Sequence, residues 1–457
     1  MNVKIHSKSE LIKKYNVPGP RYTSYPTVPY WDSENFTSQE WTKQVSESFK
    51  VANCKEGISL YIHLPYCESL CTYCGCNTRI TVNHLVEIPY IKAVLEEWKM
   101  YKRIFGRNLK IKEIHLGGGT PTFFSPENLS GLIEGILCNS IIQEGAEFGF
   151  EAHPNNTTIE HLKMLYELGF KRLSLGIQDF DSKVQEVVNR KQSYEQVKNL
   201  TFLAREIGYT SINFDLIYGL PSQNLSSIVD TIKKVTILKP DRISFYSYAH
   251  IPWIKPGQRK FTEEDLPKDE IKRQLYETGR RMLEEVGYRE IGMDHFALPS
   301  DSLYKALVDG TLHRNFMGYT SCHTSTLIGL GCSAISDTWT AFAQNIKTVE
   351  NYIREVKNGH LPLLKGHILT NEDIRLRKHI LNIMCRMETS WEEASLPLMD
   401  GIIKRLASMQ ADGLLTISKN NIKIIDACRP FIRNACMAFD EKLYIKKTES
   451  TIFSKVI

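Results

Sequence analysis

No stretch of the 457-residue chain approaches the ~18 consecutive apolar residues of a membrane-spanning helix. The N-terminal segment also lacks the apolar core of a secretory signal. A repeat of solenoid length and a low-complexity tract are both missing. With 42% hydrophobic and 24% charged residues, the composition is that of an ordinary globular protein. We therefore expect a cytoplasmic protein without a membrane partner.

Strong charge of one sign is missing as well. The formal net charge is +5, far from the excess that marks a nucleic-acid-binding surface. This mild excess could help to attract an anionic substrate, but an ordinary solvated surface is the favoured interpretation. We expect no nucleic-acid partner, and we expect a monomer.

Cysteines are not scarce, but most of them are scattered. Eleven cysteines in a cytoplasmic chain do not form a disulfide framework, because that compartment keeps thiols reduced. Four of them lie within ten residues, at Cys67, Cys71, Cys74 and Cys76. A four-ligand zinc site normally uses a second cysteine or histidine pair farther along the chain, and the sequence has none. A redox CxxC pair would not need the third thiol, so a structural zinc site stays as the alternative to a catalytic metal centre.

Six short apolar runs, each bounded by turn residues, alternate with helical patterns. The runs cover residues 57–65, 111–119, 147–154, 172–180, 211–221 and 241–251. Such an alternation predicts a parallel sheet with right-handed crossovers, either open or curled into a barrel. Active residues of both architectures lie at the carboxyl ends of the strands.

Polar or glycine-rich residues do follow these predicted strands. Cys67 follows the first, the glycines before Thr120 follow the second, and Glu151 ends the third. Gln178 ends the fourth, and Asp215 lies late in the fifth. Each of these side chains alone could be an ordinary turn residue, but their shared position at strand ends favours a site.

The first strand carries two further candidates. Tyr61 and His63 lie two residues apart and therefore share one face of the strand. His63 could donate a proton beside a metal cluster, or it could be a buried, hydrogen-bonded histidine. Arg190 could be a surface arginine unless it meets the carboxylate of a cofactor.

Two segments flank the six strand–helix units. Residues 1–50 are rich in Pro, Ser and Tyr and predict an extended arm rather than a domain. Residues 366–457 predict a small, mostly helical domain that ends in a hairpin, with Asn420–Asn421 as its tight turn. Because helices followed by a hairpin resemble a winged-helix module, a nucleic-acid-binding regulator stays as a distant alternative. Residues 51–365 form the predicted catalytic unit.

The spacing Cys67-x3-Cys71-x2-Cys74 resembles the iron–sulfur loop of the radical S-adenosylmethionine enzymes. There three cysteines hold three irons of a 4Fe–4S cluster, and the fourth iron is left for the amino and carboxylate groups of the cofactor. Tyr73, the aromatic residue before the third cysteine, matches that family. The glycines that end the second strand resemble its cofactor-binding motif, with Thr120 where the family often has Glu.

Longer blocks give a closer resemblance. They include "PRYTSYPT" (20–27), "YIHLPYCESLCTYCGCN" (61–77), "HLGGGTPT" (115–122), "NFDLIYGLP" (213–221), "LHRNFMGYT" (312–320) and "GLGCSAIS" (329–336). Together they resemble the family of oxygen-independent coproporphyrinogen III oxidases over essentially the whole chain. The resemblance implies an α/β fold: an incomplete (β/α)6 radical-SAM barrel with an N-terminal arm and a small, mostly helical, winged-helix-like C-terminal domain.

The resemblance also implies an activity. The family decarboxylates two propionates of coproporphyrinogen III oxidatively to vinyl groups and so gives protoporphyrinogen IX in haem synthesis without oxygen. It uses a 4Fe–4S cluster, two S-adenosylmethionine molecules and a low-potential electron donor. Related alternatives are the haem-carrying chaperone and the haem-degrading methyltransferase. The chaperones usually have an aromatic residue in place of Cys76 and lack the arm.

Site residues follow from the resemblance position by position. Cys67, Cys71 and Cys74 would bind iron, and Tyr61, His63 and Cys76 would be catalytic. The first S-adenosylmethionine would contact Tyr61, Glu151 and Ile335. The second would contact Tyr73, Gly118, Gly119, Thr120, Gln178, Arg190, Asp215 and Ala249.

Three details go beyond the resemblance. A fourth thiolate on the cluster would block its open iron, so we expect Cys76 to lie near the site without binding iron. Arg21 and Arg314 are candidates for pairing with substrate propionates, because arginine binds carboxylates bidentately. His153 stands where the family often has an acid, and we expect Glu151 to keep its ribose contact.

Overall fold

The computed structural model describes residues 8–106, 108–392, 396–445 and 453–456. Strands and helices alternate along most of these residues. The described strands are β1 (Ile58–Leu64), β2 (Tyr66–Cys67), β3 (Arg79–Ile80), β4 (Leu109–Gly118), β5 (Ser140–Ala152), β6 (Phe170–Gln178), β7 (Ser211–Tyr218), β8 (Arg242–Ser247), β9 (Arg289–Gly292), β10 (His295–Ala297), β11 (His313–Asn315), β12 (Gly318–Thr320), β13 (Leu327–Leu330), β14 (Ile335–Asp337), β15 (Ala341–Asn345), β16 (Leu363–Ile368), β17 (Glu388–Ser390), β18 (Leu415–Ser418) and β19 (Asn421–Ile424). The described α-helices are α1 (Lys8–Tyr15), α2 (Ser38–Lys55), α3 (Glu87–Phe105), α4 (Pro126–Leu137), α5 (Ile159–Glu167), α6 (Ser182–Val187), α7 (Tyr194–Ile207), α8 (Leu225–Leu238), α9 (Asp269–Glu285), α10 (Ser302–Val308), α11 (Val349–Lys357), α12 (Asn371–Arg386), α13 (Leu396–Ala411), α14 (Ile432–Met437) and α15 (Glu441–Ile445).

A single large sheet organises the molecule. Its strand order is β16-β15-β14-β13-β1-β4-β5-β6-β7-β8-β10-β9. The six predicted strands are β1, β4, β5, β6, β7 and β8, and they pair in parallel in that order. The order confirms the prediction of six consecutive strand–helix units. The two edges are not paired to each other, so the sheet is an incomplete barrel.

The two faces of β1 show why the sheet curls around a site. Leu60, Ile62 and Leu64 are fully buried and belong to the main core. Tyr61 and His63 point to the opposite face, where polar side chains gather. A parallel sheet normally buries apolar residues on both faces. Polar side chains on the inner face therefore indicate a lined cavity in place of a packed centre.

Helix ends follow the sequence signals. Ser125 caps α4, and its side chain accepts a hydrogen bond from the Asn128 N–H at 3.2 Å. Gly208 ends α7 in the left-handed region, with φ of 114°. These caps fix where each helix stops and so where each loop enters the next strand.

The sheet contains more than the sequence predicted. β13 pairs in parallel with β1, opposite Tyr61 at Gly329. β14, β15 and β16 then extend the sheet in antiparallel fashion. The "GLGC" block thus lies directly beside the first strand of the barrel.

Two local expectations are corrected. The arm is not extended throughout, because α1 covers Lys8–Tyr15 and α2 begins at Ser38 behind a capping box between Thr37 and Glu40. The C-terminal hairpin turns at Lys419–Asn420, one residue earlier than expected, since Ser418 pairs with Asn421.

The arm and the C-terminal region meet through several buried contacts, one of which is made by a guanidinium. Arg433 donates to the carbonyl oxygens of Gly19, Pro20 and Val456. β17, β19 and β18 form the small C-terminal sheet. The predicted boundaries at residues 50 and 365 fall inside α2 and β16, while residues 1–7 and 457 of the predicted divisions lie outside the described residues. Within the described chain, no helix is long and apolar enough to cross a membrane.

Candidate active site

A cavity of about 680 Å³ opens at the carboxyl ends of the parallel strands. This volume lies within the range of ligand-binding clefts. Twelve of the predicted site residues line it. They are Cys67, Cys71, Tyr73, Cys74, Cys76, Gly118, Gly119, Thr120, Glu151, Gln178, Arg190 and Asp215. The structure therefore brings together residues that are up to 148 positions apart in the chain.

The cysteine loop follows β1 and is held by side chains from distant segments. The Asn189 side chain donates to the Leu70 carbonyl oxygen at 2.8 Å. Gln258 donates to the Tyr73 carbonyl oxygen at 3.1 Å, and Lys255 donates to that of Cys76 at 3.0 Å. These bonds replace the support of regular secondary structure, so the loop is shaped by tertiary contacts.

The thiols have different surroundings. Cys67 Sγ lies 3.3 Å from Thr120 Oγ1, and burial raises the pKa of Cys67 to about 11. Arg190 Nη1 donates to Cys71 Sγ at 3.5 Å. The hydrogen bond from Cys76 lowers the pKa of Cys74 to about 6, and the same contact raises the pKa of Cys76. The loop thus keeps Cys76 as the protonated partner of Cys74.

The arrangement of the thiols discriminates between kinds of metal centre. Among the described residues, no three His, Cys, Asp or Glu side chains are grouped closely enough to hold one metal ion. A structural zinc site needs its ligands converging on one ion, with Zn–S near 2.3 Å. In a 4Fe–4S cluster each cysteine binds a different iron. Three thiols on the wall of one cavity therefore suit a cluster, in which each cysteine binds its own iron.

Glu151 projects from the end of β5 beside the glycines of β4. Its carboxylate accepts from the Gly118 N–H at 3.3 Å and lies 3.4 Å from His115 Nε2. Burial alone would raise the pKa of Glu151, but these hydrogen bonds and the His115 charge hold it below its ordinary value. An ionised carboxylate with long hydrogen bonds has acceptor capacity left for a ligand hydroxyl.

Asp215 lies deeper on β7. It accepts from Ser174 Oγ and from the Asn213 side chain, both at 2.9 Å. Burial raises the pKa of Asp215, and the Glu151 charge adds to this effect. The two carboxyl groups thus face one cavity with opposite pKa shifts.

A bulge at the end of β6 sets the direction of Gln178. The register with β7 shifts between Gly176 and Gln178, and Gln178 has a positive φ of 67°. A Cβ on Gly176 would lie 2.7 Å from Arg190 Nη2. Glycine at this position lets Arg190 reach the cavity, so Arg190 is not a surface arginine.

Tyr61 and His63 stand just behind the cavity lining. Tyr61 Oη lies 3.1 Å from His63 Nδ1, and His63 Nε2 lies 2.9 Å from the Asn77 carbonyl oxygen. Burial lowers the pKa of His63, which favours the neutral ring. A Cβ on Gly118 would lie 2.6 Å from that ring, so the glycine backbone packs directly on His63.

Besides Tyr61, two predicted cofactor contacts lie outside the residues that line the cavity. Ile335 begins β14, and its backbone packs against Gly329, the β-partner of Tyr61. Ala249 follows β8 in a partly buried turn. Both are near strand ends, but the structure gives neither a direct contact with the cavity.

His153 lines the cavity and is neutral. Burial lowers its pKa to about 3, and the Arg190 charge acts in the same direction. The Asn155 N–H donates to His153 Nδ1 at 3.1 Å. The ring therefore presents Nε2–H to the cavity, where an acid would present an acceptor.

Arg314 and Arg21 lie behind two tyrosines of the cavity wall. The Arg314 guanidinium stacks 4.5 Å from the Tyr319 ring centroid, and its Nε and Nη1 are buried without a partner in the described residues. Arg21 Nη2 donates to the Ser247 carbonyl oxygen at 3.0 Å. Both arginines face the buried carboxyl group of Asp294, which leaves excess positive charge at this end.

Comparisons with known proteins decide the family. The Radical SAM superfamily profile matches residues 61–235. The oxygen-independent coproporphyrinogen III oxidase of Escherichia coli is 38% identical, covering 98% of each chain. The enzyme of the same description from Pseudomonas aeruginosa is 37% identical, again over 98% of each chain.

The chain belongs to the oxygen-independent coproporphyrinogen III oxidase family. A solved structure of coproporphyrinogen III oxidase from Escherichia coli, described as a radical SAM enzyme, superimposes with a TM-score of 0.88. It covers 96% of this chain and 99% of its own, at 36% identity. Radical SAM oxidases of this kind use a 4Fe–4S cluster and S-adenosylmethionine.

The site of this family member fits those groups on two observations. The first is the set of separated thiols on one cavity wall. The second is Arg190 Nε, which is buried beside Cys71 without a partner among the described residues and suits the carboxylate of an amino acid. The long hydrogen bonds of Glu151 suit a ribose diol in the same way.

Sequence reasoning missed several residues of the cavity wall. Arg172 and Arg242 line it and pair with Glu147 at 2.8 Å and with Asp301 at 2.7 Å. His115 lies two residues before Gly117 and therefore on the same face of β4. This alternation of side chains along the strand could have identified His115 as a cavity residue. No local signal marks the two arginines, because only the curl of the sheet turns them inward.

Proposed function

We propose that this protein converts coproporphyrinogen III to protoporphyrinogen IX without oxygen, by oxidative decarboxylation of two propionate side chains to vinyl groups. The observation that carries this is the near-complete match to oxidases of that description, together with three cysteines on a cavity at the strand ends. Each propionate loses a hydrogen atom from its β-carbon, carbon dioxide and one electron.

The cluster and S-adenosylmethionine, when bound, supply the 5'-deoxyadenosyl radical that removes this hydrogen atom. The protein's residues bind the cofactor, orient it toward the substrate and exclude competing reactions of the radical. Cys67, Cys71 and Cys74 would hold the irons, Glu151 would hold the ribose of the first cofactor molecule, and Arg190 would hold the carboxylate of the second. Cys76 keeps its proton on the loop without binding iron.

Tyr61 and His63 are proposed to hold a proton beside the reacting centre. His63 is neutral and lies within hydrogen-bond distance of Tyr61 Oη. His63 Nε2–H donates to the Asn77 carbonyl oxygen, so Nδ1 accepts from the Tyr61 O–H and holds that proton in place beside the reacting centre.

Two S-adenosylmethionine molecules are proposed, as the family resemblance implies. The supporting observation is the number of polar groups on the cavity wall beyond those that one amino-acid carboxylate and one ribose would use. The two predicted contact sets touch, since Gly118 of the second donates to Glu151 of the first. Equilibrium dialysis with labelled cofactor tests this: we expect two per chain, and one with Asp215→Asn.

Arg21 and Arg314 are proposed to bind substrate propionates. Arg314 Nε and Nη1 are buried without partners in the described chain, while Nη2 donates to the Arg21 carbonyl oxygen at 3.4 Å, so each free nitrogen can donate one hydrogen bond to a carboxylate oxygen. Arg314→Met and Arg21→Ala should raise the KM for coproporphyrinogen III, while Arg354→Ala on α11 should not. An unchanged KM in both variants would refute the assignment.

Anaerobic turnover tests the function itself. Coproporphyrinogen III, S-adenosylmethionine and dithionite should yield protoporphyrinogen IX and carbon dioxide. Haem binding without turnover would instead favour the chaperone relatives, and methyl transfer to haem would favour the methyltransferase. A cytoplasmic location, a monomeric state and the lack of nucleic-acid partners stay predictions from the sequence.

A further inference from the structure

The outer side of the cysteine loop carries an exposed apolar surface. Leu70, Trp253 and Ile254 are 41%, 53% and 52% exposed. None of the three is among the described residues that line the cavity. A Cβ on Gly257 would lie 3.3 Å from Leu70, so the 253–260 segment packs on the loop that holds the cluster ligands.

Basic residues surround this apolar centre. Residues 253–260 contain Lys255, Arg259 and Lys260 and no acidic residue. The side chains of Arg259 and Lys260 are exposed. We call Leu70, Trp253, Ile254, Arg259 and Lys260 the outer patch. An apolar centre with a basic rim is complementary to an acidic protein with an apolar centre of its own.

Acidic residues lie at both ends of the outer patch. Glu68, two residues before Leu70, lines the cavity and lies 3.6 Å from His84 Nε2. Glu263 and Glu264 belong to the 3₁₀ helix Glu263–Asp265. Asp265 accepts from the Thr262 N–H at 2.8 Å and caps that helix. Between these acidic residues, the rim formed by residues 253–260 is basic.

The proposed function needs an electron at this place. Each reductive cleavage of S-adenosylmethionine consumes one electron, which must reach the cluster from outside. The rate of electron transfer falls steeply with distance, so the donor has to dock close to the cluster ligands. Leu70 directly precedes Cys71 in the outward-facing part of the loop.

We propose that the outer patch is the docking site of an acidic, low-potential one-electron carrier protein. The carrier is oxidised by one electron and the cluster held by Cys67, Cys71 and Cys74 is reduced by one, and no atom is transferred. This inference rests on the proposed function.

The test measures cluster reduction directly. Flavodoxin, an acidic protein that carries flavin mononucleotide, is used as the probe in its two-electron-reduced form. Loss of the cluster's visible absorbance is followed by stopped-flow in anaerobic, reconstituted protein, and dithionite serves as the small reductant that needs no docking. The variants are Trp253→Ala and Lys260→Glu.

The chain offers matched controls for both variants. Phe202 on α7 is 55% exposed, close to the exposure of Trp253, and Lys233 on α8 is an exposed lysine. We expect Trp253→Ala and Lys260→Glu to raise the half-saturating flavodoxin concentration about tenfold. Reduction by dithionite should be unchanged, and Phe202→Ala and Lys233→Glu should behave as the wild type. Added salt should weaken the wild type more than Lys260→Glu.

Two results would overturn the proposal. The first is an unchanged half-saturating concentration in both variants. The second is an equal loss with dithionite, or a higher KM for coproporphyrinogen III with dithionite, which would make the patch a lid over the substrate. If the wild type forms no protoporphyrinogen IX, the proposed function fails, and the flavodoxin titration still decides the docking site.

Discussion

Two glutamates of this molecule, Glu97 and Glu151, show how the same side chain is used for structure and for a site. Glu97 projects from α3, is fully buried and accepts from the Gly331 N–H at 2.8 Å. It also accepts from the Asn345 side chain and from Tyr352 Oη, both at 2.6 Å. Glu151 accepts only long bonds, at 3.3 and 3.4 Å, and its side chain is 42% exposed to the cavity.

The difference in hydrogen bonding decides what each carboxyl group can do. Burial raises the pKa of Glu97 to about 7 despite its three donors. Glu151 is held below its ordinary pKa and keeps acceptor capacity. A saturated carboxyl group fixes the loop at Gly331, whereas an undersaturated one is available to a ligand. Removing the first should therefore cost stability, and removing the second should cost binding.

The largest expected effect is on stability. Glu97→Ala leaves the Gly331 N–H, Asn345 and Tyr352 buried without their acceptor, so the free energy of unfolding should fall by about 3 kcal/mol. Chemical denaturation of the protein measures this. Glu96→Ala is the matched control, because Glu96 is exposed and pairs only with Lys99 on the surface. Equal losses in both variants would remove the distinction.

The pH dependence of stability comes next. Below the ordinary glutamate pKa of 4.5 both the folded and unfolded forms bind the Glu97 proton. Between pH 4.5 and about 7 the unfolded chain has lost it while the folded chain retains it, so stability falls as the pH rises. Above that window the loss is constant at about 3 kcal/mol.

Glu97→Gln removes this titration. The difference in unfolding free energy between the wild type and Glu97→Gln should therefore change between pH 5 and pH 8 in favour of the variant. Denaturation midpoints at both pH values provide the measurement. Parallel profiles would show that Glu97 does not titrate in this window.

The smallest expected effect is on cofactor binding. Glu151→Gln keeps the shape of the side chain but removes the charge that accepts from a ribose diol. We expect the affinity for S-adenosylmethionine to fall about tenfold, or about 1.4 kcal/mol. Stability should change by less than about 0.5 kcal/mol, because the carboxylate is partly exposed. Isothermal titration of reconstituted protein measures the affinity, and a loss of stability without a loss of affinity would reverse the roles of the two glutamates.

The sequence predicted the six parallel strands because each is a short apolar run with clear turn residues at both ends. It predicted the place of Glu151, Gln178 and Asp215 because parallel strands bring their carboxyl ends to one edge. These inferences depend on local patterns that can be read from neighbouring residues in the sequence.

The remainder depends on long-range contacts. Glu97 lies among apolar residues on the buried face of α3, and nothing nearby in the sequence indicates its hydrogen-bond partners. Those partners are 234 to 255 residues away. Arg190 meets Cys71 only in the folded chain, 119 residues away, and β13 pairs with β1 at a separation of 268 residues. The hairpin turn was misplaced by one residue because pairing with β17 and β19, rather than the Asn–Asn dipeptide, sets the register.

The account depends most directly on which cysteines bind iron. Iron and acid-labile sulfide should be measured in anaerobically reconstituted wild type, Cys71→Ser and Cys76→Ser. We predict that Cys71→Ser loses the cluster and turnover, while Cys76→Ser keeps wild-type iron, sulfide and spectrum with impaired turnover. Equal loss of the cluster in Cys76→Ser, or zinc without sulfide in the wild type, would contradict the account.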